Sequence, residues 1–277
     1  MSSRNDTGGT PFVKWAGGKR WLWPDLRKYV PADYGCYFEP FLGGAAIFWA
    51  LRPPRAVLSD ISDELINAYA QVRRDPEGIA AALSRLPVKK SVFDRLKRSR
   101  PNVRKRRAVR FLYLNRTAFN GLYRVNREGF FNVPYGCKPG TSRCDRETLE
   151  SAARRLRNAR LLMADFEDAL QNAKHGDFVF CDPPYTVRHD NNGFVRYNES
   201  LFSWKDQERL ASVARALVAK GVYVIVTNAH IGEIRRLYGQ EFHAITVTRS
   251  SRMSGELHGR GVVAEYLFVP RDTAVLR

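Results

Sequence analysis

The segment from Phe178 to Tyr185 reads FVFCDPPY, and it decides the fold. Its first four residues form a continuous apolar run, which is typical of a parallel strand that helices cover on both faces. Asp182 follows at the carboxyl end of this predicted strand, where open α/β sheets bind their ligands. Pro183 and Pro184 then fix two φ angles and offer carbonyl oxygens without N–H groups, and Tyr185 adds an aromatic ring.

Such a rim suits a planar heterocycle that carries an amino group. Asp182 would accept one amino hydrogen, the carbonyl of Pro183 would accept the other, and Tyr185 would stack on the ring. The alternative is a strand that stops at a Pro-Pro turn, with Asp182 capping the next segment. The complete string directly after an apolar strand favours the first interpretation. It resembles the DPPY motif of the amino-methyltransferases, which methylate exocyclic amino groups of DNA bases with S-adenosylmethionine, and Asp in first position resembles the adenine type.

The composition predicts a soluble globular protein with a nucleic-acid partner. The chain has 277 residues, 44% of them hydrophobic, and a formal net charge of +18. From Lys89 to Arg160, 21 lysines and arginines stand against 5 acidic residues. Such an imbalance destabilises a surface by self-repulsion unless a polyanion binds there. We therefore expect phosphate contacts, rather than base contacts, from the basic cluster Arg104, Lys105, Arg106, Arg107 and Arg110.

Other classes of protein are not indicated. No apolar stretch approaches the ~20 residues of a membrane span, and the start MSSRNDTGGT has no signal-peptide core, so we expect a cytoplasmic protein without membrane contact. The four cysteines form no C-x-x-C pair and the five histidines no H-x-x-x-H spacing, which predicts neither a disulfide framework nor a metal site. Cys181 is expected to be a small buried strand residue rather than a nucleophile.

Two segments near the amino terminus are typical of a cofactor site. Phe12 to Lys19 reads FVKWAGGK and lacks P-loop spacing. Tyr37 to Trp49 reads YFEPFLGGAAIFW, a predicted strand, Gly-rich turn and helix start, where the backbone is open to a ligand. These segments resemble the amino-terminal segment and the E-P-F-x-G-x-G motif of Dam-type DNA adenine methyltransferases, except that Ala45 stands where a second spaced glycine is often found.

The resemblance implies a set of residues that bind S-adenosylmethionine and one further pocket residue. The cofactor residues are Trp15, Ala16, Gly17, Gly18, Lys19, Glu39, Pro40, Phe41, Gly43 and Gly44, together with Asp182. Lys14 is the further pocket residue, and it joins Asp182, Pro183, Pro184 and Tyr185 in the predicted catalytic set.

Carboxylates also end two other predicted strands. Asp60 ends the strand AVLSD about 20 residues beyond the Gly turn, the offset at which an acid commonly binds ribose hydroxyls. Asp165 ends the strand RLLMAD and precedes Phe166. In the family, the ribose is bound by the first acid, while the second takes the amino group of the cofactor adenine and the following ring stacks on it. Either acid could instead cap the next helix, and both interpretations stay open.

The stretch Asn115 to Gly136, NRTAFNGLYRVNREGFFNVPYG, interleaves aromatic and basic residues around two tight turns. A two-stranded ribbon of this kind fits the DNA major groove, whereas an ordinary hairpin would pack its rings on the neighbouring helices. The pattern resembles the Dam recognition hairpin and implies DNA contacts by Arg116, Phe119, Asn120, Leu122, Arg124, Asn126, Asn132 and Pro134. The basic loop 249–261 adds Arg252 and Arg260 as a clamp, and 186–204 is expected to form a flap over the site.

The order of the predicted elements gives the fold class and the domains. Strands alternate with helices, which predicts an α/β fold with a doubly wound, mostly parallel, Rossmann-like methyltransferase sheet. A helical and β-hairpin insert interrupts it, so we expect a catalytic domain from 1–70 and 159–277 and a DNA target-recognition insert at 71–158. The resemblance covers roughly Pro11 to Pro270.

The resemblance predicts a site-specific DNA adenine methyltransferase. It would transfer a methyl group from S-adenosylmethionine to the exocyclic amino group of an adenine flipped out of duplex DNA, within GATC. It would act as a monomer without metal in a bacterial, phage or archaeal host cell, with or without a restriction-modification partner. The alternatives are an adenine methyltransferase for structured RNA and a DNA-binding relative without catalysis.

Overall fold

The computed structural model describes residues 11–126, 128–136, 144–185, 202–250 and 262–271. By its internal contacts the chain divides into two compact units. The first unit comprises Met1–Arg20, Leu42–Pro54 and Leu58–Met163. The second unit comprises Trp21–Phe41, Arg55–Val57 and Ala164–Arg277. The functional domains at 1–70 with 159–277 and at 71–158 were predicted from the order of elements in the sequence and not from these contacts. Their boundaries stay a prediction.

The described residues contain helices and strands that alternate along the chain. The helices are α1 (Trp23–Leu26), α2 (Ala46–Leu51), α3 (Asp63–Arg74), α4 (Pro76–Ser84), α5 (Lys90–Arg98), α6 (Arg104–Thr117), α7 (Arg146–Leu156), α8 (Phe166–Leu170), α9 (Trp204–Ala219) and α10 (Gly232–Tyr238). The strands are β1 (Tyr37–Glu39), β2 (Ala56–Asp60), β3 (Ala159–Met163), β4 (Phe178–Cys181), β5 (Tyr223–Ala229), β6 (Phe242–Ser250) and β7 (Val262–Pro270). Short 3₁₀ turns occupy Lys19–Leu22, Arg27–Tyr29 and Phe119–Gly121.

Seven strands of the described chain form one sheet in the order β3-β2-β1-β4-β5-β7-β6. β4 pairs in parallel with β1 on one side and with β5 on the other. β7 runs antiparallel to both β5 and β6. The strand order and the flanking helices confirm the predicted α/β class with a mostly parallel sheet.

The central strand β4 is completely buried, as its apolar sequence predicts. Phe178, Val179, Phe180 and Cys181 are each at most 1% exposed. Burial raises the pKa of the Cys181 thiol, which keeps it protonated and agrees with its expected role as a packed strand residue. Because β1 and β4 are parallel neighbours, Glu39 at the end of β1 and Asp182 after the end of β4 lie at the same edge of the sheet.

The first unit carries the helices α3 to α7, which pack on one another. The apolar stripe of Pro76 to Ser99 belongs to two helices, α4 and α5, which are separated around Pro87. The two segments of the predicted hairpin at 115–136 are joined, among the described residues, by two isolated antiparallel bridges, Ala118 with Tyr135 and Val125 with Phe131. Backbone bonds from Phe119 N to Pro134 O and from Asn132 N to Arg124 O also connect them. The role of this hairpin in DNA recognition stays a prediction.

Candidate active site

The carboxylate of Asp182 is held by a hydroxyl from the next strand. Thr227 Oγ1 on β5 donates to Asp182 Oδ1 at 2.7 Å. Thr227 is completely buried, whereas Asp182 is half-buried at the end of β4. The bond fixes the plane of the carboxylate at the strand tip, where the sequence predicts the acceptor for an amino group.

The ring of Tyr185 is held from β7. Its hydroxyl donates to Glu265 Oε2 at 2.8 Å, and Glu265 Oε1 accepts from Arg249 Nε at 3.3 Å. Burial first, and then the charges of Asp182 and Glu265, raise the pKa of Tyr185 well above its usual value, while a hydrogen bond from Thr227 lowers it. The phenol therefore stays protonated and remains a donor.

The carbonyl oxygens of the two prolines have different surroundings. Gln207 Nε2 donates to the carbonyl of Pro184 at 3.2 Å. Gln207 is itself held by Asn228 Nδ2, which donates to Gln207 Oε1 at 2.8 Å, and both amides are completely buried. Pro183 is buried, and its expected role as an acceptor for the target base stays a prediction.

The residues that follow β1 lie in the same unit as DPPY. Glu39 is buried and its Oε2 accepts from the Tyr37 hydroxyl at 2.8 Å. Phe41 stacks on Phe166 with ring centroids 5.5 Å apart. Glu39 and Phe41 were both predicted from the sequence to bind the cofactor, and Pro40 lies buried between them.

Asp165 and Phe166 have structural partners in this structure. Asp165 caps α8 by accepting from Glu167 N at 3.0 Å, and its Oδ2 accepts from Arg209 Nη2 at 2.7 Å. Phe166 is only 2% exposed, and the Arg209 guanidinium lies 4.4 Å from its ring centroid. These contacts show the capping interpretation, and a cofactor role for either residue stays a prediction.

In the first unit the Gly43 turn is fixed from several sides. Asp60 Oδ2 accepts from Gly43 N at 3.1 Å, and the Tyr69 hydroxyl donates to Gly43 O at 3.1 Å. Gly43 has φ +45°, and a Cβ there would stand 2.6 Å from the Trp15 ring. Only glycine fits this position. Ala45 adopts φ 54°, which explains in physical terms why a glycine is often found there.

Asp60 accepts backbone hydrogen bonds next to the exposed side chain of Ile61. Asp60 Oδ1 accepts from Ser62 N at 2.9 Å, and burial raises the pKa of the carboxyl against these backbone bonds. Ile61 directly follows and is 60% exposed. The sequence analysis did not single out Ile61.

Asn115 fixes the backbone of the predicted pocket residue Lys14. Lys14 N donates to Asn115 Oδ1 at 2.9 Å, and Asn115 Nδ2 donates to Lys14 O at 2.7 Å and to Gly121 O at 3.1 Å. A Cβ at Gly121 would stand 2.6 Å from Lys14 Cδ. Asn115 therefore ties the KWAGGK segment to the FNGL turn, a role that the sequence reasoning missed.

The rest of the KWAGGK segment is divided between exposed and buried residues. Trp15 stacks on Tyr123 with ring centroids 6.5 Å apart, and Ala16, Gly17 and Gly18 are exposed. Lys19 is only 4% exposed, and its Nζ donates to Gly17 O at 3.0 Å. Lys19 thus supports the Gly17 turn, and the backbone of that turn faces open space.

The predicted recognition residues include an exposed aromatic ring. Phe119 is 51% exposed, although its backbone N–H is bound to Pro134 O at 2.9 Å. Asn120 is exposed with φ 52°. A Cβ at Gly136 would stand 2.2 Å from Phe119 Cα, so this close approach requires glycine. Leu122 is half-buried and Pro134 exposed beside this turn region.

Arg124 is exposed and oriented by a neighbour. Its Nε donates to Asn132 Oδ1 at 2.9 Å. Asn126 shapes the turn beyond it, because its Oδ1 accepts from Glu128 N at 3.1 Å and from Phe130 N at 2.8 Å. Arg100 covers Phe130 with its guanidinium 3.7 Å from the ring centroid. The arrangement presents Arg124 to solvent with a fixed Nε.

Several other residues that were predicted to contact DNA bind residues of this chain. Arg116 Nη2 donates to Phe12 O at 3.1 Å and Nε to Cys144 Sγ at 3.1 Å, bonds that support a structural role rather than a DNA contact. In the basic cluster, Lys105 pairs with Asp75, Arg107 with Asp63 and Glu64, and Arg110 with the carbonyls of Leu96 and Lys97. Arg104 and Arg106 are the exposed members of the cluster, and its phosphate contacts stay a prediction. Arg252 and Arg260 lie outside the described residues.

Among the described residues, no helix is both long and apolar enough to cross a membrane. No group of three His, Cys, Asp or Glu in the same part of the chain could hold a metal ion.

The fold and the DPPY site define an amino-methyltransferase of the α/β class. The family model described as D12 class N6 adenine-specific DNA methyltransferase matches residues 15–253, and the chain belongs to this family. This finding confirms the family, and with it the enzyme class, that the sequence motifs predict.

Two named relatives with high coverage support the same assignment. The chain is 37% identical over 273 residues to Type II methyltransferase M1.LlaDCHI of Lactococcus lactis subsp. cremoris, covering 94% of this chain and 95% of the relative. It is 33% identical over 253 residues to the DNA adenine methylase of Escherichia coli (strain K12), covering 88% and 90%. A solved structure of TrmN from Thermus thermophilus is 11% identical, with a TM-score of 0.41 over 91% of this chain and 48% of that chain.

Proposed function

We propose that this adenine-specific DNA methyltransferase uses S-adenosylmethionine to methylate the adenine of a GATC-type palindrome in duplex DNA. The observation that carries the chemistry is the Asp182 carboxylate, held at the tip of β4 by Thr227 at 2.7 Å. Asp182 and the Pro183 carbonyl accept the two amino hydrogens of the target base. These bonds turn the nitrogen lone pair out of conjugation and stabilise the positive charge that develops on the amino group.

The residues of the first unit fit a nucleoside-like cofactor. Asp60 offers a carboxylate to ribose hydroxyls, Ile61 offers an exposed apolar surface to a flat base, and the Gly17 and Gly43 turns allow close approach. When bound, the cofactor would supply a methyl group that its sulfonium already activates. Asp182 and the Pro183 carbonyl would orient the amino nitrogen that accepts this methyl group, and the proton that the nitrogen gives up would pass to water.

Base flipping follows from the position of the reacting atom. The adenine amino group cannot reach a carboxylate while it is stacked and paired, so the base has to leave the duplex. Tyr185 offers its ring to the extruded base, and the exposed ring of Phe119 fills the space that the base vacates. Arg124 reads a guanine of the site by a bidentate contact. We assign the protein to the monomeric enzymes that need no metal.

The function is tested by incubating the purified protein with S-adenosylmethionine and either duplex DNA or transcribed RNA, and by quantifying N6-methyladenine. Methylation of duplex DNA at a GATC-type palindrome is expected, and transfer to RNA alone would contradict the proposal. Asp182→Ala should lower turnover more than about tenfold while cofactor and DNA binding remain. Turnover within that factor would contradict the mechanism.

A further inference from the structure

Two side chains from distant parts of the sequence hold the two polar side chains of DPPY. Thr227 donates to Asp182 across 45 residues of sequence, and Tyr185 donates to Glu265 across 80. Both partners are buried, since Thr227 is 0% and Glu265 3% exposed. A buried polar group persists only when it is hydrogen-bonded, so these pairs are fixed features of the folded protein.

The two partners lie on one face of the sheet. The register of the antiparallel pair β5 and β7 places Thr227 opposite Leu267 and Ala229 opposite Glu265. Alternate residues of a strand share a face, and so do residues that stand directly opposite each other. Thr227 and Glu265 are therefore diagonal neighbours on the face of the sheet that meets the DPPY segment.

The buried charge of Glu265 is balanced within the same sheet. Arg249 on β6 donates to Glu265 Oε1 at 3.3 Å, and its guanidinium lies 5.7 Å from the Trp21 ring centroid. Two separate links thus reach DPPY, one from Arg249 through Glu265 to Tyr185 and the other from Thr227 to Asp182. A carboxylate that already has its final plane need not reorient when charge develops on the substrate.

We propose that Thr227 and Glu265 are positioning residues for methyl transfer, Thr227 for the Asp182 carboxylate and Glu265 for the Tyr185 ring. The assignment rests on the proposed contacts of Asp182 and Tyr185 with the target adenine. Neither positioning residue touches the substrate. Their loss should therefore slow transfer while leaving cofactor and DNA affinities in place.

The role of Thr227 is tested by single-turnover methylation with enzyme in excess and both ligands saturating. Thr227→Val keeps the shape and removes the hydroxyl, and it should slow transfer about 10- to 100-fold with dissociation constants within about threefold. Thr227→Ser restores the donor and should lie within about threefold of wild type. The control Tyr113→Phe removes another buried hydroxyl, which donates to Pro87 O at 2.9 Å, and should leave the rate unchanged below the melting temperature.

Two outcomes would overturn the Thr227 assignment. One is a Thr227→Val rate within about threefold of wild type, and the other is a Thr227→Ser rate as low as that of Thr227→Val. Asp182→Ala, measured in parallel, separates this failure from that of the proposed function. If Asp182→Ala is inactive while Thr227→Val is fully active, only the positioning role is lost. If Asp182→Ala is active, the proposed function itself fails.

The role of Glu265 is tested by a double-mutant cycle with Tyr185. Glu265→Gln keeps an acceptor for the phenol and should transfer at nearly the wild-type rate. Glu265→Met removes the acceptor at similar length and should slow transfer about tenfold. In a Tyr185→Phe background, Glu265→Met should have no further effect, because the hydroxyl through which it acts is gone.

The cycle has a matched control and an outcome that would contradict the assignment. Tyr223→Phe removes a buried hydroxyl without a hydrogen-bond partner among the described residues, and the rate should not change. An equal loss from Glu265→Met in both backgrounds would overturn the assignment. Should Glu265→Met not fold, Tyr185→Phe alone decides, since a wild-type rate and wild-type 2-aminopurine fluorescence at the target position would overturn it as well.

Discussion

Asn115 binds Lys14 by both backbone groups, with its amide oxygen 2.9 Å from Lys14 N and its amide nitrogen 2.7 Å from Lys14 O. A side-chain amide that forms hydrogen bonds with a backbone N–H and a backbone carbonyl in this way takes the place of the neighbouring strand that an extended segment would otherwise pair with. Asn115 lies in the last turns of α6. The position of α6 therefore determines the position of the Lys14 backbone, from which the Lys14 side chain extends.

Asn115→Ala should destabilise the protein by about 1–3 kcal/mol, because it leaves the Lys14 and Gly121 backbone groups without their partner. Denaturant unfolding measures the change. Asn158→Ala, at an exposed position, is the matched control and should stay within about 0.5 kcal/mol of wild type. Equal stability of the two variants would contradict the assignment.

Gly43→Ala and Gly176→Ala separate steric conflict from backbone strain. Both glycines have positive φ, but a Cβ at Gly43 would stand 2.6 Å from Trp15, whereas nothing lies within 4 Å of one at Gly176. Gly176→Ala should cost about 1–2 kcal/mol of unfolding free energy, and Gly43→Ala a further 1–3 kcal/mol or so. Calorimetry should also show weaker cofactor binding for Gly43→Ala alone. An equal cost at both sites would refute the steric argument.

Arg106 and Arg107 are neighbours on α6 with different expected roles. Arg106 is exposed, and Arg106→Gln should weaken binding to all DNA sequences alike and reduce the salt slope by about one unit. Arg107 pairs with Asp63 and Glu64, and Arg107→Gln should cost about 1 kcal/mol of stability after solvent screening, with the salt slope unchanged. Fluorescence anisotropy over a range of salt concentrations measures both slopes, and a reversal of the two effects would refute the distinction.

Arg124→Ala should relax specificity at one base pair of the recognition site. A bidentate contact from arginine to guanine contributes about 1–3 kcal/mol of discrimination, so activity on altered sites should fall less than activity on the preferred site. Asn132→Ala should act in the same direction but more weakly, because Asn132 orients Arg124 through the Nε bond at 2.9 Å. Sequencing of methylated plasmid DNA measures both effects. An unchanged site preference in Arg124→Ala would refute this role.

The fold was predictable because its decisive strand is short, apolar and followed by an unusual motif. The run ending at Cys181 and the acid at Asp60 marked the ends of β4 and β2 correctly, since buried parallel strands have this local pattern. The strand predicted to end at Asp165 ends at Met163, and Asp165 caps the following helix. The hairpin at 115–136 pairs through isolated bridges among its described residues, because alternation of aromatic and basic residues does not report how continuously two segments pair.

The supports of the site could not be predicted in the same way. Thr227 and Glu265 contact DPPY from strands 45 and 80 residues further along the chain. Neither residue type signals such a contact in its own segment, because the register of β5 and β7 alone brings them together. The roles of charged residues were equally hard to predict. Arg106 and Arg107 are adjacent arginines in the sequence, and only their positions around the axis of α6 make the first exposed and the second ion-paired.

The place of β7 in the sheet has a consequence for synthesis of the chain. β7 is the last strand of the sheet in sequence, yet it lies between β5 and β6. Until residues 262–270 have left the ribosome, β5 has an unpaired edge and Tyr185 lacks the acceptor that Glu265 provides. A nascent chain can therefore fold its earlier elements, with Asp182 already bound to Thr227 on β5, and still lack the bond that orients the Tyr185 ring. Insertion of β7 is the step that completes the support of this ring.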